Sequence, residues 1–103
     1  MKKMKQNELL RYIAETVLTY EKLEVTRHIL WDYMCVCSKI LDWFIDGRNT
    51  EHLFIAIRKS GLEAGSKEYV KSRLEVLGSP IHTIEISKNE EFTTDYDFEV
   101  KEY

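Results

Sequence analysis

The residues best suited to chemistry are three carboxylates near the C-terminus, Asp95, Asp97 and Glu99. They alternate with aromatic and apolar residues, which predicts a β-strand with one polar face. Successive carboxylates then lie about 6.6–6.8 Å apart along the strand, and Glu85 is expected beside them on the neighbouring strand. Such a face can bind a divalent cation, attract a basic partner surface, or remain a solvated outer face that discourages edge-to-edge pairing.

Metal, cofactor and nucleophilic chemistry have weak support elsewhere in the chain. The three histidines, His28, His52 and His82, fall in three different predicted elements, and no local spacing builds a catalytic triad or a zinc site. Cys35 and Cys37 point about 200° apart on a helix, so they are expected to be free thiols. There is no glycine-rich phosphate loop and no EF-hand pattern. We therefore expect no enzyme, no metal and no cofactor. His82 is expected to share a strand face with Ile84 and Ile86 and to be a histidine at the edge of the core with one hydrogen-bonded nitrogen.

Charge is distributed unevenly along the 103 residues. The net charge is only −3, but residues 80–103 carry 2 basic and 7 acidic side chains, net −5, while residues 1–79 carry +2. The chain has the length of one domain, and we expect a single domain over residues 1–103. No apolar stretch of signal-peptide or membrane-spanning length follows the basic N-terminus, so we expect a cytoplasmic protein that does not associate with membranes.

The first 46 residues contain no glycine or proline and are predicted to be helical. At 100° per residue, the apolar stripe of residues 9–20 is displaced by nearly half a turn from that of residues 29–45. One straight helix cannot bury both stripes, so a break is expected within residues 21–26. This gives helices at about 7–21 and 26–46, with Thr26 as the N-cap of the second. The apolar arc of that second helix is about 200° wide.

Two further helices and a hairpin complete the predicted fold. Leu53, Phe54 and Ile57 share a helical face between Thr50 and Gly61, and a second helix runs over 66–77 after a turn at 63–65. After Pro80 the period changes to two, which predicts two strands. The fold class is α+β, with about four N-terminal helices (helical part 7–78) packed on a C-terminal antiparallel β-hairpin at 81–102.

Trp31 falls at the margin of the polar arc of the second helix. Two interpretations are open. Either another element covers it, or it is an exposed contact residue, since exposed tryptophan is enriched at interfaces. In a related possibility, the broad apolar arc of helix 26–46 serves as a homodimer interface.

Two functions follow from these features. The first is a small non-catalytic protein-binding regulator or inhibitor, by analogy with acidic phage and mobile-element inhibitors, which engages a basic, nucleic-acid-binding surface of its partner. Its predicted contact residues are Glu85, Asp95, Asp97, Glu99 and Trp31. The alternative is a winged-helix DNA-binding regulator, with 66–77 as recognition helix and Lys67, Lys71 and Arg73 on DNA. The acidic hairpin opposes that alternative, since a wing lies against phosphate.

Overall fold

A computed structural model of the chain describes residues 2–47, 51–58, 61–77, 81–89 and 96–103. Three helices and five strands follow one another in these ranges, and the helices are interleaved with the strands. In chain order they are β1 (Lys2–Met4), α1 (Gln6–Tyr20), α2 (Arg27–Ile45), β2 (His52–Arg58), β3 (Gly61–Gly65), α3 (Lys67–Leu77), β4 (His82–Lys88) and β5 (Phe98–Glu102). The α+β class is confirmed, but the arrangement of four helices on a hairpin is wrong.

The five strands form one antiparallel sheet in the order β1-β5-β4-β2-β3. Helices α1 and α2 pack together and cover one face, where the main core contains buried side chains from both helices and from β2, β4 and β5. On the opposite face α3 packs over β2 and β3, where Val70 meets Phe54 and Ala56. The sheet is therefore covered by a pair of helices on one face and by one short helix on part of the other.

The break between the first two helices occurs where it was predicted. Helix α1 ends at Tyr20, Lys22 has a left-handed backbone with φ 58°, and α2 begins at Arg27. The Thr26 hydroxyl accepts a hydrogen bond from the Ile29 amide at 3.3 Å and caps α2. After the helix, Gly47 has φ 76°, a conformation that glycine adopts without a Cβ penalty. The end of α2 thus has a local cause that is visible in the sequence.

The helix predicted between Thr50 and Gly61 is wrong, because this segment forms strand β2. Five consecutive residues, 53–57, are buried: alternate side chains face the α1–α2 layer and α3. A strand that is covered on both faces can be apolar at every position, so it lacks the apolar–polar alternation of a half-buried strand. The spacing of its apolar residues then also fits a helix. The turn predicted at 63–65 belongs to strand β3, so the helical part assigned to 7–78 is also wrong.

The C-terminal hairpin pairing is confirmed, although the hairpin lies inside the sheet. Strand β4 pairs with β5 in antiparallel register and also with β2, while β1 pairs with the outer side of β5. Strand β5 begins at Phe98, and residues 90–95 of the predicted hairpin lie outside the described residues. Ile84 and Ile86 are buried on the α1–α2 side, which His82 shares, as predicted.

Helix α3 confirms the predicted helix at 66–77. Ser66 caps it, since its hydroxyl accepts from the Tyr69 amide at 3.3 Å. Val70 is buried, whereas Tyr69 is 46% exposed. Its ring lies against Gly65, where a Cβ would collide with it. Glycine at this position therefore lets α3 approach β3 closely.

Candidate functional site

The face of the sheet opposite α1 and α2 is partly open over β4, β5 and β1. We name this the open sheet face and define it by side chains that share it through strand register: Lys3, Thr83, Glu85, Ser87, Glu99 and Lys101. Helix α3 packs mainly against β2 and β3, at the other side of the sheet from β5 and β1. Two of the sequence-predicted carboxylates, Glu85 and Glu99, share the open sheet face on adjacent strands.

Cations interrupt the acidic surface that the sequence predicts. In the strand register Lys3 lies opposite Glu99, and Lys101 lies opposite Glu85. Asp97 lies in a bend just before β5, so it is not part of the strand, and Asp95 lies outside the described residues. Opposite charges facing each other across strands stabilise a sheet. The described part of the open sheet face is thus a mixed-charge surface.

Glu85 is held by neighbours that sequence reasoning did not connect with it. The Tyr103 hydroxyl donates a hydrogen bond to Glu85, which raises the pKa of Tyr103. His52 Nδ1 lies 3.3 Å from a Glu85 carboxylate oxygen, and the Tyr103 ring stacks on Phe54 with centroids 6.5 Å apart. Only 17% of the Glu85 side chain is exposed. This carboxylate is therefore engaged within the chain and only partly presented to a partner.

The cations proposed for DNA contact do not form one surface. Lys67 and Lys71 are exposed on α3, but Arg73 donates to Glu63 on β3 at 3.1 Å. The same Glu63 oxygen lies 3.1 Å from an Arg58 nitrogen, so two guanidinium groups share one carboxylate under the helix. A strand also replaces the first helix of the winged-helix order. The element order on which the DNA-binding hypothesis rests is absent.

The shared carboxylate makes Glu63 a stability determinant. Glu63→Gln should lower the free energy of unfolding by about 1–3 kcal/mol, because it leaves two partly buried guanidinium groups without a counter-charge. Urea unfolding measures this loss. Glu68→Gln, which neutralises an exposed carboxylate on α3, should change stability by less than about 0.5 kcal/mol. Equal losses in the two variants would contradict the role assigned to Glu63.

A second polar cluster joins α1 to the ends of β4 and β5. His82 Nε2 pairs with a Glu102 carboxylate oxygen, and Glu102 also accepts from Tyr12. Burial and this hydrogen bond raise the pKa of Tyr12 to about 12, while the bonds from Tyr12 and His82, with the charge of Lys2, lower the pKa of Glu102. The expected core-edge histidine with a hydrogen-bonded nitrogen is confirmed.

This cluster borders a groove of about 410 Å³, lined by Tyr12, Glu15, Thr16, Thr19, Tyr20, His82 and Glu102. The Lys2 ammonium lies 4.9 Å from the centre of the Tyr12 ring at the same place. Sequence reasoning identified His82 from strand alternation, but it missed Tyr12 and Glu102. No local pattern connects an α1 tyrosine with a carboxylate near the end of the chain.

Among the described elements, helix α2 has the largest number of exposed large hydrophobic residues, namely Trp31, Val36, Trp43 and Ile45. Cys37, Leu41 and Phe44 are buried, and Tyr33, Met34 and Ile40 pack against the same core while partly exposed, so the chain covers only part of the predicted 200° apolar arc. Next to the buried stripe lies a second stripe, which we name the α2 seam and define as Ile29, Tyr33, Val36, Ile40 and Trp43. Within it Val36 is 49% and Trp43 55% exposed, and the other three are half-buried.

Trp31 lies on a different side of α2, and 67% of it is exposed. Of the two interpretations, the structure excludes the one in which another described element covers this tryptophan. The α1–α2 connection adds Leu23 and Val25, which are also exposed. Apolar exposure is therefore concentrated on α2 and the segment leading into it.

Within the described ranges, no three histidine, cysteine, aspartate or glutamate side chains are grouped so that they could hold a metal ion. In the same ranges, no helix has both the length and the apolarity needed to cross a bilayer.

No known protein family matches the chain, and no curated protein or solved structure matches it either.

Proposed function

We propose that the chain is a non-catalytic protein-binding regulator and that its contact surface is the α2 seam. The supporting observation is the concentration of exposed apolar side chains. Of ten large hydrophobic residues exposed in the described ranges, six lie between Leu23 and Ile45, and two of these, Val36 and Trp43, belong to the seam. Exposed apolar patches mark interaction sites in stable domains, and tryptophan is prominent among the residues that dominate binding energy.

The spacing of the seam specifies the chemistry of its partner. From Ile29 to Trp43 the seam residues are separated by four, three, four and three positions. This is the alternation by which one helix packs knobs into holes of another. The partner is thus an α-helix with apolar side chains at matching intervals, docked along α2.

The acidic hairpin is a second candidate contact surface. It is favoured by the net charge of −5 in residues 80–103, to which Asp97 and Glu99 contribute. In that case a basic partner surface faces the β4–β5 end of the sheet, with the predicted residues Glu85, Asp95, Asp97 and Glu99 as contacts. Lys3 and Lys101 oppose it, since both lie on the open sheet face among the carboxylates.

Site-specific photo-cross-linking separates the two surfaces. A benzophenone amino acid is placed at Val36 in the seam, at Asp97 in the hairpin, or at Lys71 on the exposed side of α3 as control. Each variant is expressed in the native cells, and adducts are measured by mass. We expect adducts from position 36 only, and we expect them to be lost when Trp43 on the same seam is replaced by Lys.

Each outcome favours or contradicts one surface. Adducts from position 97 alone would show that the contact surface is the acidic hairpin and not the α2 seam. Adducts of equal yield from all three positions would indicate random collision and contradict both surfaces. The absence of any adduct at 36 and 97 would overturn the proposal of a protein-binding function.

A further inference from the structure

We infer that the helix docked on the α2 seam is α2 of a second copy of this chain, running antiparallel to the first. This inference rests on the proposed function, because it names the partner of the same seam. It is carried by the position of two exposed, oppositely charged residues on one flank of the seam, Asp32 and Lys39.

The two flanks of the seam differ. One contains Cys37 and Phe44, which are buried in the chain's own core. The other contains Asp32 and Lys39, both exposed. These residues are seven positions apart, so they lie two turns from each other on the same side of α2 and are too distant to pair within one helix.

Helix direction decides what these charges meet. In a parallel pair, the charged flank of one helix faces the opposite flank of the other, which here is committed to the partner's own core. In an antiparallel pair, like flanks face each other. Asp32 and Lys39 then face the same two residues of the second copy in reverse order, which allows opposite charges to meet.

One alignment satisfies both the apolar seam and the charges. When Tyr33 packs opposite the partner's Val36, Ile40 packs opposite the partner's Ile29. At 1.5 Å per residue, Asp32 and the partner's Lys39 are then offset by only about 3 Å along the axis. Two-fold symmetry repeats the pair, so the interface contains two Asp32–Lys39 pairs. The seam and its charged flank are therefore complementary to themselves, and on this ground we assign a second copy as the occupant.

Charge reversal tests both the partner and the direction. Sedimentation equilibrium of the full chain from low micromolar to near-millimolar concentration should show a transition from 12.3 kDa towards twice that mass. Lys39→Asp places like charges together twice and should weaken dimerisation about tenfold or more. The double variant D32K/K39D restores opposite charges and should return to within about threefold of wild type. Lys71→Asp on α3, with the same change in net charge, should have no effect.

The alternatives give different results. A wild-type chain that stays monomeric at all concentrations would overturn self-association. In that case, cross-linked adducts at position 36 whose mass differs from that of two copies of the chain would still support the proposed function. Dimers that Val36→Lys abolishes but Lys39→Asp leaves intact would overturn the antiparallel arrangement. Dimers that survive Val36→Lys would place the interface elsewhere. Far-UV circular dichroism and thermal unfolding establish that each variant is folded, and rescue by the double variant separates a lost contact from a damaged helix.

Discussion

Phe44→Ala should lower the free energy of unfolding by about 3–5 kcal/mol. The Phe44 ring is fully buried where the end of α2 meets the sheet, and the Lys88 ammonium from β4 lies 4.3 Å from its centre. Truncation removes this packing and leaves a cavity that the surrounding strands cannot fill. Because domains of this size are stable by only about 5–15 kcal/mol, the loss is a large share of the total. Urea unfolding monitored by circular dichroism measures it.

The neighbouring residue is a matched control. Trp43 is the larger aromatic residue, but it is 55% exposed on the α2 seam. Trp43→Ala should therefore reduce the stability of the monomer by less than about 1 kcal/mol. Phe44→Leu retains most of the apolar volume but removes the aromatic ring, so its loss of stability measures what the contact between the Lys88 ammonium and the ring contributes. If Trp43→Ala were as destabilising as Phe44→Ala, the assigned orientation of α2 would be wrong.

The sequence predicts those parts of the fold that local signals determine. Residue 26 has the chemistry of a helix cap, and the phase of the apolar stripes locates the break before it, so α1 and α2 were predicted within about two residues. Strand β2 was mistaken for a helix because its five buried residues are covered on both faces, and this coverage depends on elements distant in sequence. The pairing of β1 with β5 joins the two ends of the chain and has no local signal.

In the candidate site, too, local patterns were predicted from the sequence and contacts between distant segments were not. Alternation placed Glu85 and Glu99 on one face of the hairpin, but it did not predict Lys3 opposite Glu99, because β1 was not predicted. The sequence predicts a broad apolar arc on α2. Which part of that arc the chain itself buries depends on the tertiary packing of Cys37, Leu41 and Phe44. The remaining exposed part is the surface we propose for binding.

The buried thiol of α2 should make the fold sensitive to alkali. Cys37 is inaccessible to solvent, and burial raises its pKa from 9.0 to about 12. The thiol of the unfolded chain releases its proton at a lower pH than the thiol of the folded chain. The free energy of unfolding is therefore unaffected by Cys37 below pH 9 and decreases as the pH rises from 9 towards 12. The loss is about 1.4 kcal/mol for each pH unit above 9, or roughly 4 kcal/mol in all. Cys37→Ala should remove this part of the pH dependence.

Chemical unfolding from pH 8 to 11 measures the slope, and Cys35 is the internal control. This second thiol lies two residues away on the exposed side of α2, so Cys35→Ala should retain the wild-type slope. Tyrosine and lysine ionisation acts equally on all three proteins, because the variants differ only at the two cysteines, and it cancels in the comparison. A Cys37→Ala protein with the same loss of stability as wild type above pH 9 would show that this thiol is not enclosed by α2 and the sheet. If the decrease of the free energy of unfolding with pH disappears only in Cys37→Ala, the Cys37 thiol lies in the core, on the stripe of α2 adjacent to the exposed seam.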